Sequence, residues 1–184
     1  MLTDRAMCER PLVDVVAEAV TAGARAVVLR EKDLPYDERA RVGAHLRTVL
    51  DSVGGLLVMA GTRGDAVHLS SSDPLPCPRP ALVGRSCHDA DEVARAETEG
   101  CDYVTVSPAY ASESKPGYGP ALGRSGLAAL LTGCLTSYAL GGVLPEHVAP
   151  CLDAGAHGVA VMGPVMRDPH IVSRYVDALT QVRT

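Results

Sequence analysis

The fold class of this chain follows from residues 81–107, which read ALVGRSCHDADEVARAETEGCDYVTVS. The apolar runs Ala81–Gly84 and Tyr103–Ser107 indicate two short buried strands. Between them, Asp89–Glu99 has the length and composition of a helix. A buried strand, a helix and another buried strand in this order are typical of a parallel sheet whose faces are covered by helices.

The same alternation continues in both directions from this unit. Further helices are predicted over five ranges: Pro11–Thr21, Tyr36–Leu50, Gly126–Leu131, Pro145–Ala154 and Pro169–Val182. Further strands are predicted over six ranges: Met1–Asp4, Ala26–Leu29, Leu56–Ala60, Ala66–Leu69, Ser137–Leu140 and Gly158–Met162. Eight strands and about six helices predict a single domain over residues 1–184. They favour a (β/α)₈ TIM barrel over a doubly wound sheet.

One helix of that barrel is predicted to be missing. Only residues 61–65 separate the third predicted strand from the fourth. So short a connection cannot hold a helix, although parallel neighbours normally need a crossover of about a dozen residues or more. Residues 70–80 contain four prolines and are predicted to be loop. A deleted helix between strands 3 and 4 agrees with a length of 184 residues, below the roughly 200–250 usual for this barrel.

Composition excludes several classes of protein. The chain has no Phe and no Trp, yet 47% of its residues are hydrophobic, which excludes intrinsic disorder. No apolar stretch approaches the roughly 18 residues of a membrane span, and charged residues interrupt the N-terminus too early for a signal peptide. A net charge of −5 without a basic run argues against nucleic acid as a partner. The 6 cysteines form no C-x-x-C pair, so we expect reduced thiols and a cytoplasmic location.

The chemistry is expected at the carboxyl ends of the strands, because parallel α/β barrels build their sites there. These ends are basic and rich in hydroxyl groups although the whole chain is acidic, which indicates an anionic ligand, most simply a phosphate. Arg30 and Lys32 lie two residues apart on one side of an extended segment and suit a diphosphate. The alternative is a solvated strand end that Glu31 balances.

The remaining candidates follow later strands. Gly141 and Gly142 follow the seventh predicted strand and Met162-Gly163 the eighth, where backbone N–H groups can approach a phosphate closely. Three polar residues of one long loop, Ser112, Ser114 and Lys115, offer two hydroxyls and an ammonium, or form an ordinary polar loop. His88 is a candidate binding residue or simply the first turn of the next helix. Asp73 is a candidate Mg²⁺ ligand or a turn former.

Taken together in order, these strand ends resemble one family, thiamine phosphate synthase and its relative TenI, the thiazole tautomerase. The matching stretches are Leu2–Asp4, Leu29–Leu34, Val67–Leu69 with Asp73, Gly84–His88, Cys101–Val104, Ser107–Gly117, Ala139–Val143 and Gly158–Gly163. They span nearly the whole chain with plausible spacing. The family fold is a (β/α)₈ barrel, in agreement with the pattern.

The resemblance implies sites for thiazole phosphate and for hydroxymethylpyrimidine diphosphate with Mg²⁺. In the synthase, diphosphate leaves the pyrimidine, and the thiazole nitrogen attacks the carbocation-like species that remains. The residues that match the catalytic contacts are Arg30, Lys32, Lys115 and Ser86, and Asp73 matches one metal ligand. The residues that match the substrate and phosphate contacts are Ser112, Ser114, Gly141, Gly142, Met162 and Gly163.

Three departures from the family pattern leave the activity open. Val28 stands where the synthase has Gln. Ala60-Gly61-Thr62 replaces Asn-Asp-Arg, which removes a pyrimidine contact and a metal ligand, unless Asp65 substitutes. Pro108 stands where TenI commonly has His.

Three hypotheses therefore remain, of which a thiamine phosphate synthase is preferred. The second is a thiazole tautomerase that uses His88 or Glu31 as its general base, and the third is an idle thiazole-phosphate-binding or regulatory protein. Tyr110 and Tyr118 are the candidates to stack on a heterocycle, because the chain has no Phe or Trp. A homo-oligomer is a further possibility.

Overall fold

A computed structural model describes residues 1–112, 120–133 and 135–182. Seven parallel strands form one sheet in which each strand pairs with the next along the chain. They are β1 (Ala26–Leu29), β2 (Leu56–Ala60), β3 (Ala66–Leu69), β4 (Leu82–Cys87), β5 (Tyr103–Val106), β6 (Thr136–Leu140) and β7 (Gly158–Ala160). The predicted parallel α/β sheet is confirmed. The doubly wound alternative is wrong, because such a sheet reverses its strand order at a switch point and this one does not.

Helices follow most of the strands, as the alternation predicted. They are α1 (Leu12–Thr21), α2 (Tyr36–Asp51), α3 (Ala90–Thr98), α4 (Gly123–Leu130), α5 (Val148–Asp153), α6 (Gly163–Arg167) and α7 (Val172–Val182). The five-residue α6 was not predicted, because so short a run carries no helical periodicity. Two predicted helices begin with a 3₁₀ turn, at Pro145–His147 before α5 and at Pro169–Ile171 before α7. No helix in the described ranges is long and apolar enough to cross a membrane.

The N-terminal segment lies between the first strand and the residues that follow the last one. The Leu2 N–H donates to the Val161 carbonyl at 2.8 Å, and the Thr3 N–H donates to the Val28 carbonyl at 3.0 Å. The predicted first strand is thus a single parallel bridge between Leu2 and Val28. It ends early because Asp4 accepts a hydrogen bond from the next turn and starts a 3₁₀ helix.

The connection between β2 and β3 contains no helix, as predicted. These strands overlap by only two residue pairs, Met59 with Val67 and Ala60 with His68. The chain therefore steps sideways by one strand, about 4.8 Å, with almost no return along the sheet, and needs no crossover. Gly61 (φ +98°) and Gly64 (φ +145°) adopt the positive φ that this tight path requires.

Arg85 on β4 stabilises the proline-rich loop that follows β3, where the described residues again form no helix. Its side chain is fully buried. It donates to the backbone carbonyls of Ser70 (2.9 Å), Ser71 (3.2 Å) and Asp73 (2.8 Å), and it forms an ion pair with Glu99. These hydrogen bonds satisfy loop carbonyls that helix formation would otherwise have paired.

The sheet has two differently packed faces. One small cluster joins the side chains Leu2, Val28, Val58, Ala60 and Ala160, and Tyr138 packs against it. A much larger aliphatic cluster lies between the other face and the helices. The inner face is the one that carries the small cluster. Side chains alternate along each strand, so a residue next to a member of the large cluster points to the inner face. This alternation directs His68, Ser86 and Thr105 inward.

Candidate active site

The predicted site residues lie at one edge of the sheet. Because all seven strands are parallel and adjacent in order, their carboxyl ends meet there. The site residues that follow or end the described strands are Arg30, Lys32, Asp73, Ser86, His88, Tyr110, Ser112, Gly141, Gly142, Met162 and Gly163. Ser114, Lys115 and Tyr118 lie outside the described residues.

Arg30 is positioned by the N-terminal segment and by the residue after β7. Its backbone N–H donates to Thr3 Oγ1 at 3.0 Å. Its guanidinium contacts the Asp4 carboxylate at 3.5 Å and Met162 Sδ at 4.0 Å. The side chain is 40% exposed and therefore accessible from solvent.

Lys32 and Asp73 form the next contact along this edge. Lys32 Nζ lies 3.7 Å from Asp73 Oδ2, and the same oxygen accepts the Ser70 N–H at 2.7 Å. Burial acts to raise the pKa of Asp73, but the Ser70 hydrogen bonds and the Lys32 ammonium outweigh it and hold that pKa below its usual range. Asp73 is therefore an ionised carboxylate in an electropositive setting.

The residues at this edge do not fit the two-carboxylate magnesium site that the family resemblance implies. Asp73 supplies one carboxylate, already engaged by Ser70 and Lys32. Gly61 takes the place of the second expected ligand and carries no side chain. No group of three or more His, Cys, Asp or Glu side chains able to hold a metal occurs in residues 1–112, 120–133 and 135–182.

Glu31 is a structural clamp for the N-terminal segment. Its carboxylate is 2% exposed and accepts the Arg5 N–H at 3.1 and 3.2 Å and the Arg5 guanidinium at 3.2 Å. Arg5 also donates to Asp33 at 2.8 Å. A carboxylate that is buried and held by two donor groups of Arg5 is poorly placed to move a proton to or from a substrate.

Polar side chains on the inner face form a hydrogen-bonded network beneath this edge. His68 Nε2 lies 2.9 Å from Ser86 Oγ and 3.4 Å from Thr105 Oγ1. His68 Nδ1 lies 3.0 Å from Tyr103 Oη. Gly84 makes room for this arrangement, since a Cβ there would overlap the Tyr103 ring. Ser86, a predicted site residue, is thus oriented from below by His68.

The protonation state of His68 follows from its surroundings. Burial, and then the charges of Lys32 and Arg85, lower the pKa of His68 to about 4. The ring is therefore neutral near pH 7 and presents one donor and one acceptor nitrogen to its neighbours. Burial also raises the pKa of Tyr103, which keeps its hydroxyl protonated.

His88 directly follows β4 and turns toward α3. The carboxylate of Glu92 accepts the His88 backbone N–H at 2.7 Å and lies 2.8 Å from His88 Nδ1. Asp89 caps the same helix by accepting the Glu92 N–H at 2.8 Å. These contacts match the simpler of the two interpretations of His88, an element of the helix start.

Tyr110 and the Gly141-Gly142 turn form a second part of the site. The Tyr110 N–H donates to the Gly141 carbonyl at 2.9 Å. Gly142 adopts φ +61°, and a Cβ there would overlap the backbone of Tyr110 and Ala111. The glycines therefore permit close approach of the loop after β5, whether or not a phosphate binds there.

His147 packs on Tyr110, an arrangement that the sequence did not indicate. The two rings stack with centroids 3.9 Å apart and an interplanar angle of 16°. His147 Nδ1 lies 3.1 Å from the Leu144 backbone nitrogen and 3.2 Å from the Gly142 carbonyl oxygen, and these contacts hold the ring against the loop after β6. One face of the Tyr110 ring is therefore covered by the imidazole of His147.

Sequence reasoning missed His68, Tyr103, Thr105 and His147. The first three could have been found from the sequence. His68 is a polar residue in the otherwise apolar strand β3, and Tyr103 and Thr105 lie two residues apart in the otherwise apolar strand β5, so both point to the same face. Such polar residues at inward positions of a buried parallel strand are unusual. His147 had no such signal, since its contact with Tyr110 joins loops that follow different strands.

Comparison with known proteins identifies the family. The family model described as thiamine monophosphate synthase matches residues 1–165. The thiamine-phosphate synthase of Natronomonas pharaonis is 35% identical over 193 residues, covering 94% of this chain and 90% of the relative. That of Methanoregula boonei is 30% identical over 189 residues, covering 95% and 88%.

A solved structure shares the fold. The thiamine phosphate pyrophosphorylase from Pyrococcus furiosus superposes with a TM-score of 0.85 at 24% identity, covering 100% of this chain and 95% of the other. The family model and the relatives together extend over almost all of the sequence. This chain belongs to the thiamine monophosphate synthase family.

Proposed function

We propose that this protein is a thiamine-phosphate synthase, which joins hydroxymethylpyrimidine diphosphate to thiazole phosphate and releases diphosphate. The names of its relatives support this activity. The observation that carries it is the shared location of Arg30, Lys32 and Ser86 with the Gly141-Gly142 turn at one edge of a parallel sheet. The site thereby offers cations for one substrate and a close backbone turn for the other.

The cationic side of the site suits the bond-breaking step. As the carbon–oxygen bond of the pyrimidine substrate breaks, both electrons stay with the diphosphate oxygen and negative charge grows there. Lys32 and Arg30 are the described cations that would stabilise this charge. Arg30 is preoriented by Thr3 and Asp4, so little reorganisation is needed during the reaction.

The glycine side of the site suits the phosphate of the thiazole. We assign the backbone of Gly141 and Gly142 and the start of α6 at Gly163 to phosphate binding, with Ser112 as a hydroxyl donor. Tyr110, backed by His147, would stack on the thiazole ring. The thiazole nitrogen would then attack the carbocation-like pyrimidine carbon, which forms the new carbon–nitrogen bond. The roles of Ser114 and Lys115, which lie outside the described residues, stay predictions.

The test is formation of thiamine phosphate by the purified protein from both substrates with Mg²⁺ added, followed by chromatography. We expect Lys32→Met to lower kcat/KM by about 100-fold or more, because it removes a cation at the developing charge. The matched control is Arg41→Gln, which removes one exposed cation from α2. Absence of product, with thiazole phosphate still raising Tm, would rule out the synthase and leave a thiazole-phosphate-binding protein.

The contacts of the two candidate bases argue against the tautomerase alternative. It needs a general base, for which Glu31 and His88 were the candidates. Glu31 is buried and accepts three hydrogen bonds from Arg5, and His88 is engaged by Glu92. A tautomerase assay of the Glu31→Gln variant separates the two roles: a structural clamp loses stability, whereas a base loses activity alone.

We further propose that residues 1–184 form one (β/α)₈ domain in which the N-terminal segment takes the place of the first strand. The hydrogen bonds of Leu2 to Val161 and of Thr3 to Val28 support closure between β1 and β7. The short connection at residues 61–65 supports a helix lost between β2 and β3. The cytoplasmic location and a homo-oligomer stay predictions.

A further inference from the structure

An open pocket of about 350 Å³ lies where β1 and β2 end. Lys32 lines it from the segment after β1, Arg39 from α2, and Arg63 from the connection between β2 and β3. Among the described residues of the lining, Asp73 is the one carboxylate, so three cations face one anion and two positive charges are in excess. A pocket with this charge suits a multiply charged anion.

Arg39 lines this pocket, and part of its guanidinium lacks a hydrogen-bond partner among the described residues. Its Nε is buried and has no hydrogen-bond partner within the described parts of the chain. Lys32 and Asp73 partly neutralise each other at 3.7 Å, so they do not compensate the Arg39 charge. The charge of Arg39 is therefore not compensated by the other described residues of the lining, and an oxygen-rich anion at its guanidinium would compensate it.

Arg63 is held at the pocket by an aromatic ring. Its guanidinium carbon lies 5.2 Å from the centroid of Tyr36 at the start of α2, a cation–π contact. The helix-free connection that carries Arg63 makes this position possible. Gly61 and Gly64, both at positive φ, turn the chain on either side of it. The loss of a helix here has thus brought a cation to the strand ends.

We propose that Arg39 and Arg63, with Lys32, bind the diphosphate group of the substrate directly and take over the charge neutralisation for which a second metal-binding carboxylate is missing. Guanidinium groups bind phosphate oxygens in bidentate fashion, so two of them match the two phosphoryl units of a diphosphate. This inference rests on the proposed synthase function for the identity of the substrate. The binding it requires can be measured without that reaction.

The experiment is calorimetric titration of the full chain with inorganic diphosphate in the presence of EDTA. We expect binding without metal, and a loss of affinity of about tenfold or more in each of Arg39→Gln and Arg63→Gln, as expected for a charged hydrogen bond. Arg63→Lys should recover part of the affinity, since it restores the charge but not the fork. Inorganic phosphate should bind more weakly than diphosphate, because it offers one phosphoryl unit.

Arg41→Gln is the matched control, because it removes an exposed arginine from the same helix and does not line the pocket. It should bind diphosphate within about threefold of the unmodified protein. Arg63 is exposed, so its substitution is expected to leave the fold intact, which urea unfolding checks. The proposal is overturned if diphosphate binds only when Mg²⁺ is added, or if both pocket variants bind it as tightly as Arg41→Gln.

Failure of this inference differs from failure of the proposed function. If thiamine phosphate forms but metal-free diphosphate binding does not depend on Arg39 and Arg63, the inference is wrong and the function stands. If no thiamine phosphate forms while arginine-dependent diphosphate binding persists, the anion pocket stands and the proposed reaction is wrong.

Discussion

His68 makes the stability of this protein depend on pH in a way that one substitution can remove. The ring is buried and hydrogen-bonded to Ser86 and Tyr103, and its pKa is lowered to about 4, mainly by burial. In the unfolded chain the same group has a pKa of about 6.5. The unfolded state therefore binds a proton between these two values while the folded state does not.

The sign and size of the effect follow from linkage. A lowered folded-state pKa contributes stability that is present above the unfolded value and is lost as the pH falls from about 6.5 toward about 4. Between about pH 7.5 and about pH 5 the His68 contribution amounts to a loss of about 2 kcal/mol in the free energy of unfolding. For a domain of ordinary stability this is a large fraction of the total.

Urea unfolding at both pH values measures the effect. His68→Gln is expected to be less stable than the unmodified protein at both, because Tyr103 and Ser86 lose a well-placed partner. Its loss of stability between about pH 7.5 and about pH 5 should nevertheless be smaller by about 2 kcal/mol. His45→Gln, on the exposed side of α2, should leave the pH dependence unchanged. Equal pH dependence in His68→Gln and the unmodified protein would refute the reasoning.

Three further predictions concern packing and thiol chemistry. Arg85→Met should lower the free energy of unfolding, measured by urea titration, by about 3 kcal/mol, because three loop carbonyls and Glu99 lose a buried partner. An unchanged urea midpoint would contradict the stabilising role of Arg85. Gly84→Ala should lower the free energy of unfolding by about 1–3 kcal/mol in the same assay, because the added methyl group overlaps the Tyr103 ring. An unchanged free energy of unfolding would mean that the ring can move. Exposed Cys77 should react rapidly with a disulfide reagent at neutral pH, whereas Cys87, buried with its pKa raised to about 12, should react only after unfolding. Cys77→Ser should therefore remove one thiol from the rapid phase, and rapid reaction of Cys87 would contradict its burial.

The sheet itself was predictable from residues 26–29, 56–60, 66–69 and 103–106, whose apolar runs match strands of the structure. Strand ends were less certain: β4 extends through Cys87, three residues beyond the predicted end, because Arg85 and Ser86 continue the pairing with β5. Arg85 and Ser86 are polar, so the sequence pattern did not predict that the buried strand continues through them. They are tolerated here because Arg85 donates to loop carbonyls and pairs with Glu99, and because Ser86 is hydrogen-bonded to His68.

The candidate site was predictable only as a set of strand ends. Parallel order places Arg30, Lys32 and Asp73 at one edge, so their neighbourhood follows from topology. The partners of Glu31 and His88 were not predictable, since they are set by local packing: Arg5 contacts Glu31, and Glu92 contacts His88. The sequence shows which side chains can titrate or donate a hydrogen bond, but the tertiary contacts of those side chains determine their roles.

The sequence by itself determined a parallel α/β fold, the family resemblance and the absence of a helix between residues 60 and 66, because periodicity, the succession of strands and helices along the chain and the length of each connection are properties of the chain alone. Only the tertiary structure decided the order of the strands in the sheet and the contacts of the helix-free connections. Arg85 reaches the loop carbonyls, and Arg39 and Arg63 meet Lys32 in one pocket, because parallel strands bring distant positions within side-chain reach. Such convergence depends on register and side-chain direction, which the sequence does not display.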